Sequence, residues 1–274
     1  MDIELVKKYR DVTKNEIFQL EQQLEKNKFK YNLWDNLINY YNKKWFAHIK
    51  FFLNKEDRSL KEIANTDPNA YSLIKELEKE ASDVIANQYQ SFMFPKLFQE
   101  KCENAKLDID SKSRHPRYRV CNSFIEVEIS EKTFEARISD REGILEKLPF
   151  DIDAIIEVVK KHKTRLFDRK SNPKSFIKQI YNQYKEIIKK EKLNYGDSIP
   201  IRTLMKSLSK KQNNFRADEF IIDFSKIIKE NFGEIDGFKL ELQQTKDERN
   251  GILLYGLESG GYVGFIIFRK VNKQ

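Results

Sequence analysis

Twelve basic side chains fall within one short stretch of this sequence: Lys160, Lys161, Lys163, Arg165, Arg169, Lys170, Lys174, Lys178, Lys185, Lys189, Lys190 and Lys192. Only Asp168, Glu186 and Glu191 oppose them, so residues 160–192 carry +9 where the whole chain carries +8. The rest of the protein is therefore close to neutral, and the basicity is local. A local basic strip is what a polyanion would meet, and neutralising phosphates is the chemistry it suits. The competing explanation is a solvated helix face in a lysine-rich chain, since most charge runs are only that. The neutrality of the remainder, and two arginines placed in what reads as a loop, keep the phosphate reading open.

A second basic cluster, Arg114-His115-Pro116-Arg117-Tyr118-Arg119, precedes a predicted strand. It would either extend a phosphate track or pair with the acidic strand residues Glu126, Glu128 and Glu135, and pairing is slightly favoured.

Catalytic chemistry finds little support. Asp151 with Asp153, and Glu126 with Glu128, are the carboxylate pairs a metal-dependent nuclease would draw on, but neither leads into a PD…ExK arrangement. The histidines His48, His115 and His162 are scattered and match no zinc spacing. The glycines of the tail form neither a phosphate-binding loop nor a dinucleotide fingerprint, so no cofactor is expected. Composition points the same way: 274 residues suffice for one large or two modest domains, and 20 Phe and 12 Tyr exclude a disordered chain despite 34% charged residues. Two cysteines, Cys102 and Cys121, sit in apolar surroundings without a CxxC and read as reduced, buried thiols. No signal peptide or membrane span is apparent, and a soluble cytoplasmic protein with no membrane contact is expected.

Helices must carry most of these residues. Ile17, Leu20 and Leu24 step by three and four, which predicts an amphipathic helix. A second, densely aromatic helix is predicted from about Phe29 to Leu53. Asp57 or Ser59 opens a short piece. Asp67-Pro68 is a helix start, with aspartate as cap and proline in the first turn, and Pro95 should break or kink what it opens. Ile125, Val127 and Ile129, then Phe134, Ala136 and Ile138, alternate with polar residues and predict a β-hairpin turning at Ser130-Glu131-Lys132. Asp151 is placed to cap a helix bearing Ile152, Ile155, Ile156 and Val159. Asn172-Pro173 opens a long helix whose apolar stripe runs from Phe176 to Ile188, leaving Lys174, Lys178, Lys185 and Lys189 off it. A short extended piece at Ile199-Pro200-Ile201, a helix at Leu204 to Leu208, and a helix from Phe220 to Ile228 stopped by Gly233 follow. Strands are then expected at Phe238 to Leu242, Ile252 to Leu257 and Tyr262 to Phe268, with turns at Asn250-Gly251 and Gly260-Gly261.

The expected fold class is α+β and mostly helical. Residues 1–110 read as a helical arm or bundle, 111–171 as a small α+β connector with a β-hairpin, and 172–274 as a winged-helix-like domain whose wing is Thr245 to Asn250. A winged helix usually reads bases with its last helix. Here that helix carries Asp218, Glu219 and Asp223 in its first half, which would repel phosphate. The fold is therefore expected to serve protein contact or backbone-only DNA contact. In the amino-terminal third, Trp34, Tyr41, Trp45 and Phe52 present more aromatic surface than one helix face hides. They either build the bundle or dock a partner or a second copy.

The tail segment DEFIIDFSKIIKE…IDGFKLELQQTKDERNGILLYGLESGGYVGFIIF, from Asp218 to Phe268, resembles the end of small bacterial proteins encoded beside SMC-like ATPases, including Lamassu-type anti-phage systems. The resemblance implies a non-enzymatic accessory subunit that rides on an SMC-like ATPase and helps it engage double-stranded DNA through the backbone, in anti-phage or anti-plasmid defence. It identifies no functional residue. A stand-alone winged-helix regulator and a divergent metal-dependent nuclease are the alternatives.

Overall fold

The computed structural model describes residues 2–88, 92–256 and 261–271. It is α+β: nine α-helices and eight strands among the described residues. Two compact units emerge, the first gathering residues up to Lys101 with Ser130–Ala136 and Leu148–Ile155, the second holding Cys102–Ile129, Arg137–Lys147 and the chain from Ile156 onward. No helix among the described residues is long and apolar enough to cross a membrane.

The first unit is built on α1 (Ile3–Asn42), α2 (Phe46–Lys55), α3 (Asp57–Thr66), α4 (Pro68–Gln88) and the start of α5 (Phe94–Asn104). Asp2 caps α1, its carboxylate accepting from the Glu4 and Leu5 amides. No glycine or proline follows for forty residues, so α1 runs through the point near Lys28 where the sequence suggests two helices. The break falls instead at Lys43 to Trp45, with Lys44 at φ +58°. That turn lets Leu33 and Leu37 of α1 bury against Ile49 and Leu53 of α2 and Ile74 and Ala81 of α4. Asp67 caps α4 as expected, accepting from the Ala70 amide. Pro95 lies in the first turn of α5, where its missing N–H costs nothing.

Asp151 has a role that its local sequence does not suggest. It precedes α6 (Ile152–Lys163), and its wholly buried carboxylate accepts from the amides of Ala47 (2.8 Å) and His48 (2.7 Å), and lies 2.6 Å from His48 Nδ1. These are the orphan donors of α2, which has no side-chain cap of its own at Trp45. A cap supplied across about a hundred residues of sequence cannot be seen in local spacing.

The predicted hairpin widens into a four-stranded sheet in the order β1 (Arg117–Val120), β2 (Ile125–Ser130), β3 (Glu135–Ser139), β4 (Ile144–Pro149), with β1 antiparallel to β2. A five-residue π-helical turn, Thr164–Asp168, closes α6, so the basic "loop" of the sequence is helical at Arg165.

In the second unit, α7 (Pro173–Glu191), α8 (Ile201–Lys211) and α9 (Ala217–Lys229) pack with a sheet of order β5-β8-β7-β6: β5 (Ile199–Pro200), β8 (Tyr262–Lys270), β7 (Phe238–Thr245) and β6 (Glu234–Ile235), all neighbours antiparallel. Tyr184, Leu204, Phe224, Ile266 and Phe268 fill its core. Two details differ from the sequence reading. The left-handed residue after α9 is Asn231, at φ +57°, and Gly233 lies beyond the stop. The segment from Ile252 is not a strand: Ile252 makes one isolated bridge to Val263, and Leu254 has no regular structure. Both are buried in the core, so their apolarity reflects a plug folded onto the sheet. Gly251 makes this possible, because a Cβ there would sit 2.5 Å from that of Tyr262. The partner of β7 is consequently β8, and the connection between them starts after Thr245 and is longer than the six-residue wing expected. Leu257 and Gly260, expected in a strand and a turn, lie outside the described residues.

Replacing Asp151 with Ala should destabilise the first unit by about 2 kcal/mol, because two helix-end amides lose a buried acceptor. Urea unfolding followed by Trp34 and Trp45 fluorescence would measure it.

Candidate nucleic-acid interface

The twelve basic residues separate into three groups once placed. Lys160, Lys161 and Lys163 occupy the last turn of α6, where positive charge complements the helix dipole. Lys161 reaches Glu146 (3.4 Å) and Lys163 donates to the carbonyl of Lys106 (2.9 Å). His162 between them is buried, and that burial pushes its pKa below the ordinary imidazole range, so it adds no charge at neutral pH.

Arg165 and Arg169 form the second group, and they face inward on α9. Arg165 donates to Asp218 (2.5 Å) and Glu219 (2.7 Å); Arg169 donates to Glu219 (2.6 Å) and to Asp223. Glu219 bridges both guanidiniums. Arg216, a third arginine, also reaches Asp218 at 3.2 Å. Asp218 and Asp223 are buried. For Asp218, burial raises the pKa but the bonds from Arg165 and Arg216 outweigh it, and the carboxyl ends below its usual range. For Asp223, burial prevails over Arg169 and Lys226, and its pKa rises. The acids of α9 are therefore not a free repulsive surface. They are the partners of the two arginines, and α9 itself is buried along most of its length.

The third group is α7. Asn172 caps it, accepting from the Ser175 amide (3.2 Å), and Pro173 begins it. Ile177, Ile180, Tyr181, Tyr184, Ile187 and Ile188 turn into the core. Lys174, Lys178 and Lys189 are exposed, and Lys185 is half-buried with its ammonium 4.5 Å over the Tyr181 ring. Positions 174, 178, 182, 185 and 189 lie on one face of a helix, and at 1.5 Å per residue the row is about 22 Å long. Asn182 fills the one uncharged step. Lys190 in the last turn of α7 and Lys192 at its left-handed C-cap continue the basic run, and Lys170 precedes it; all three are exposed. Beside the row a cleft of about 470 Å³ separates α7 from α8, lined by Lys178, Asn182, Glu186 and Lys211 among others. Glu186 is neutralised by Lys211, a residue outside the basic strip and not singled out by spacing.

The remaining candidates resolve into internal pairs. Arg117 meets Glu128 (2.8 Å), Arg119 meets Glu126 (3.6 Å), and Arg137 also meets Glu128 (2.5 Å). Asp153 pairs with Lys101 (2.7 Å) and Asp151 is the cap of α2. Among the described residues no group of three or more His, Cys, Asp or Glu side chains is placed to hold a metal ion. A cleft of about 400 Å³ holds Arg119, Glu126, Asp140, Glu142, Arg202 and Tyr262, and its charges largely pair with one another, Arg202 with Glu142 and Arg119 with Glu126. Cys102 and Cys121 are buried free thiols, each pushed up to about 12 chiefly by that burial, and are unreactive at neutral pH.

The aromatic residues 34, 41, 45 and 52 serve mainly the bundle. Trp34 and Phe52 pack against the α1–α2–α4 core, and Trp45 stacks on Tyr40 (6.3 Å) and lies tilted against His48 (4.7 Å). Tyr41 is exposed, its hydroxyl donating to Glu80 (3.2 Å).

No family model, no curated protein and no solved structure matches the chain.

Arg165→Ala should cost about 3 kcal/mol by leaving the buried Asp218 charge short of a partner, against at most about 0.5 kcal/mol for Lys178→Ala on the exposed row. The Asp218 pKa is depressed, so its contribution is present above the ordinary carboxylate value near ~3.9 and is lost as pH falls through the folded value. The stability gap between Arg165→Ala and the parent should accordingly narrow in urea titrations as pH is lowered below about 4.

Proposed function

We propose that this chain is a non-enzymatic, DNA-associated subunit whose α7 lysine row contacts the phosphate backbone, and whose second unit carries a winged-helix-like domain used for that contact and for protein docking. The single observation behind the proposal is the division of the basic strip. The arginines are held by α9, while Lys174, Lys178, Lys185 and Lys189 stand in one row on the outer face of α7. A row of about 22 Å faces roughly a dozen phosphate charges of duplex DNA at one per ~1.7 Å, and lysines are suited to backbone contact without base reading.

The winged-helix reading draws on connectivity. The order α7, β5, α8, α9, β6, β7, β8, with β8 between β5 and β7, supports a three-helix core carrying a β7–β8 wing, to which β6 adds a short edge strand. In that reading α9 takes the place of the recognition helix. Because Arg165, Arg169 and the π-helical turn cover its first half, base reading by α9 is disfavoured, and with it a stand-alone sequence-specific regulator. The tail's resemblance suggests an SMC-like ATPase as the partner and anti-phage or anti-plasmid defence as the setting.

Two experiments test the proposal. Affinity for a random-sequence duplex, followed by fluorescence anisotropy between about 50 and 200 mM salt, should fall steeply with salt, and replacing Lys174, Lys178, Lys185 and Lys189 with Glu should reduce the log–log slope by about 3 to 4 and the affinity by at least tenfold. An unchanged slope would remove α7 from the interface. Affinity purification from the host, with nuclease treatment, should retain an ATPase subunit in fixed stoichiometry; recovery of nucleic acid alone would favour a self-sufficient DNA binder.

A further inference from the structure

Helix α1 is 40 residues long, yet residues 2–28 are all exposed, and its only buried side chains are Leu33 and Leu37. Ile17, Leu20 and Leu24, which look like a core stripe in the sequence, are 52%, 70% and 53% exposed. Lys26 reaches Glu62 of α3 (2.8 Å), but the exposed apolar positions of this segment have no cover among the described residues, and a largely apolar seam of this length calls for a partner.

The seam has heptad spacing. Ile3, Val6, Arg10, Thr13, Ile17, Leu20, Leu24, Asn27, Tyr31 and Trp34 fall at alternating intervals of three and four, the a and d positions of a coiled coil. What covers the seam can be read from where its polar residues lie. When a second copy is laid antiparallel so that each position i faces 37 − i, the layers become Ile17 on Leu20, Thr13 on Leu24 and Arg10 on Asn27. Val6 then lies on Tyr31, and Ile3 reaches the part of the half-buried Trp34 that the bundle leaves accessible. The two strongly polar positions face each other, a guanidinium against an amide, and the ends are apolar on both sides. On the flank, Lys14 of each copy meets Glu21 of the other, twice by symmetry. Lys7 approaches Lys28 on the same flank, but each already holds a carboxylate in its own helix, Glu4 at 2.7 Å and Glu25 at 2.8 Å.

The alternatives conflict with the charges. A parallel in-register pair sets Arg10 against Arg10 and flanks Glu16 with Glu21. An antiparallel pair shifted by one heptad sets Ile17 on Asn27 and Lys14 near Lys28. We infer that two copies of this chain associate through the Ile3 to Trp34 face of α1 as an antiparallel coiled coil, with the two-fold axis between residues 18 and 19. Such an interface is isologous and closed, as dimers usually are. It is independent of the DNA reading, because it uses no residue of the lysine row.

Sedimentation equilibrium of the full chain at tens of micromolar should give twice the 32.7 kDa monomer mass. Leu20→Glu, a change at an exposed position that the fold of the monomer does not need, should weaken self-association at least a hundredfold. Register is read by mixing two single variants, Thr13→Cys and Leu24→Cys, under mild oxidation. The antiparallel register yields a disulfide between the two different variants and almost none within either alone, since like positions then lie about 16 Å apart by helix rise. The native thiols are buried and should stay silent. A monomeric parent, or disulfides formed between like positions, would overturn the inference. The Glu-substituted lysine row should leave the mass unchanged, so failure of dimerisation and failure of DNA binding are read separately.

Discussion

Two arginines, one in the π-helical turn and one just after it, set which charges the second unit presents outward. Arg165 and Arg169 share Glu219 and reach Asp218 and Asp223, so five charges condense against one side of α9. Burying carboxylates is costly unless each has a guanidinium in place, and buried pairs of this kind act more to fix geometry than to add stability. The cluster holds the segment after α6 against the first half of α9. In doing so it removes both the acids and the arginines from the protein's outward electrostatic face.

The positive face that remains is narrower and more ordered than the composition suggests. Lysine, with a compact charge on a flexible stem, is a backbone-contacting residue rather than a reader of base edges. Its placement in a single row on α7, with Tyr181 beneath Lys185, comes from the helix period and from the apolar stripe that anchors the opposite face. Strength of binding would then depend on salt and on how many phosphates the row spans, and little on sequence.

Helix α1 poses the opposite problem, an apolar seam without charge excess and without a core. Its last quarter belongs to the bundle, where the Asp151 carboxylate fixes the start of α2 and the aromatics around Tyr40 and Trp45 close the packing. Its first two thirds project apolar residues that no other element covers among the described residues. Dimerisation by these segments would place two lysine rows in one assembly, and linked sites gain avidity wherever both reach the same duplex.

Much was determined by the sequence alone. Helix or strand identity followed from periodicity: the 3.6-residue stripe of α7, the alternation of Ile125 to Ile129, and the Asp67-Pro68 start each specify local structure through interactions within a few residues. The α+β class and the exposed lysines of α7 follow from the same short-range rules. What only the tertiary structure decided was every interaction between residues far apart in the chain. Asp151 looks like a cap for the helix it precedes, and its carboxylate also caps α2 about a hundred residues upstream. Ile252 and Leu254 look like a strand, and they plug a core. Asp218, Glu219 and Asp223 look like a repulsive surface, and they are neutralised from fifty residues upstream. The physical reason is common to all three: a side chain's charge and apolarity are written in the sequence, but the partner that satisfies them is chosen by packing.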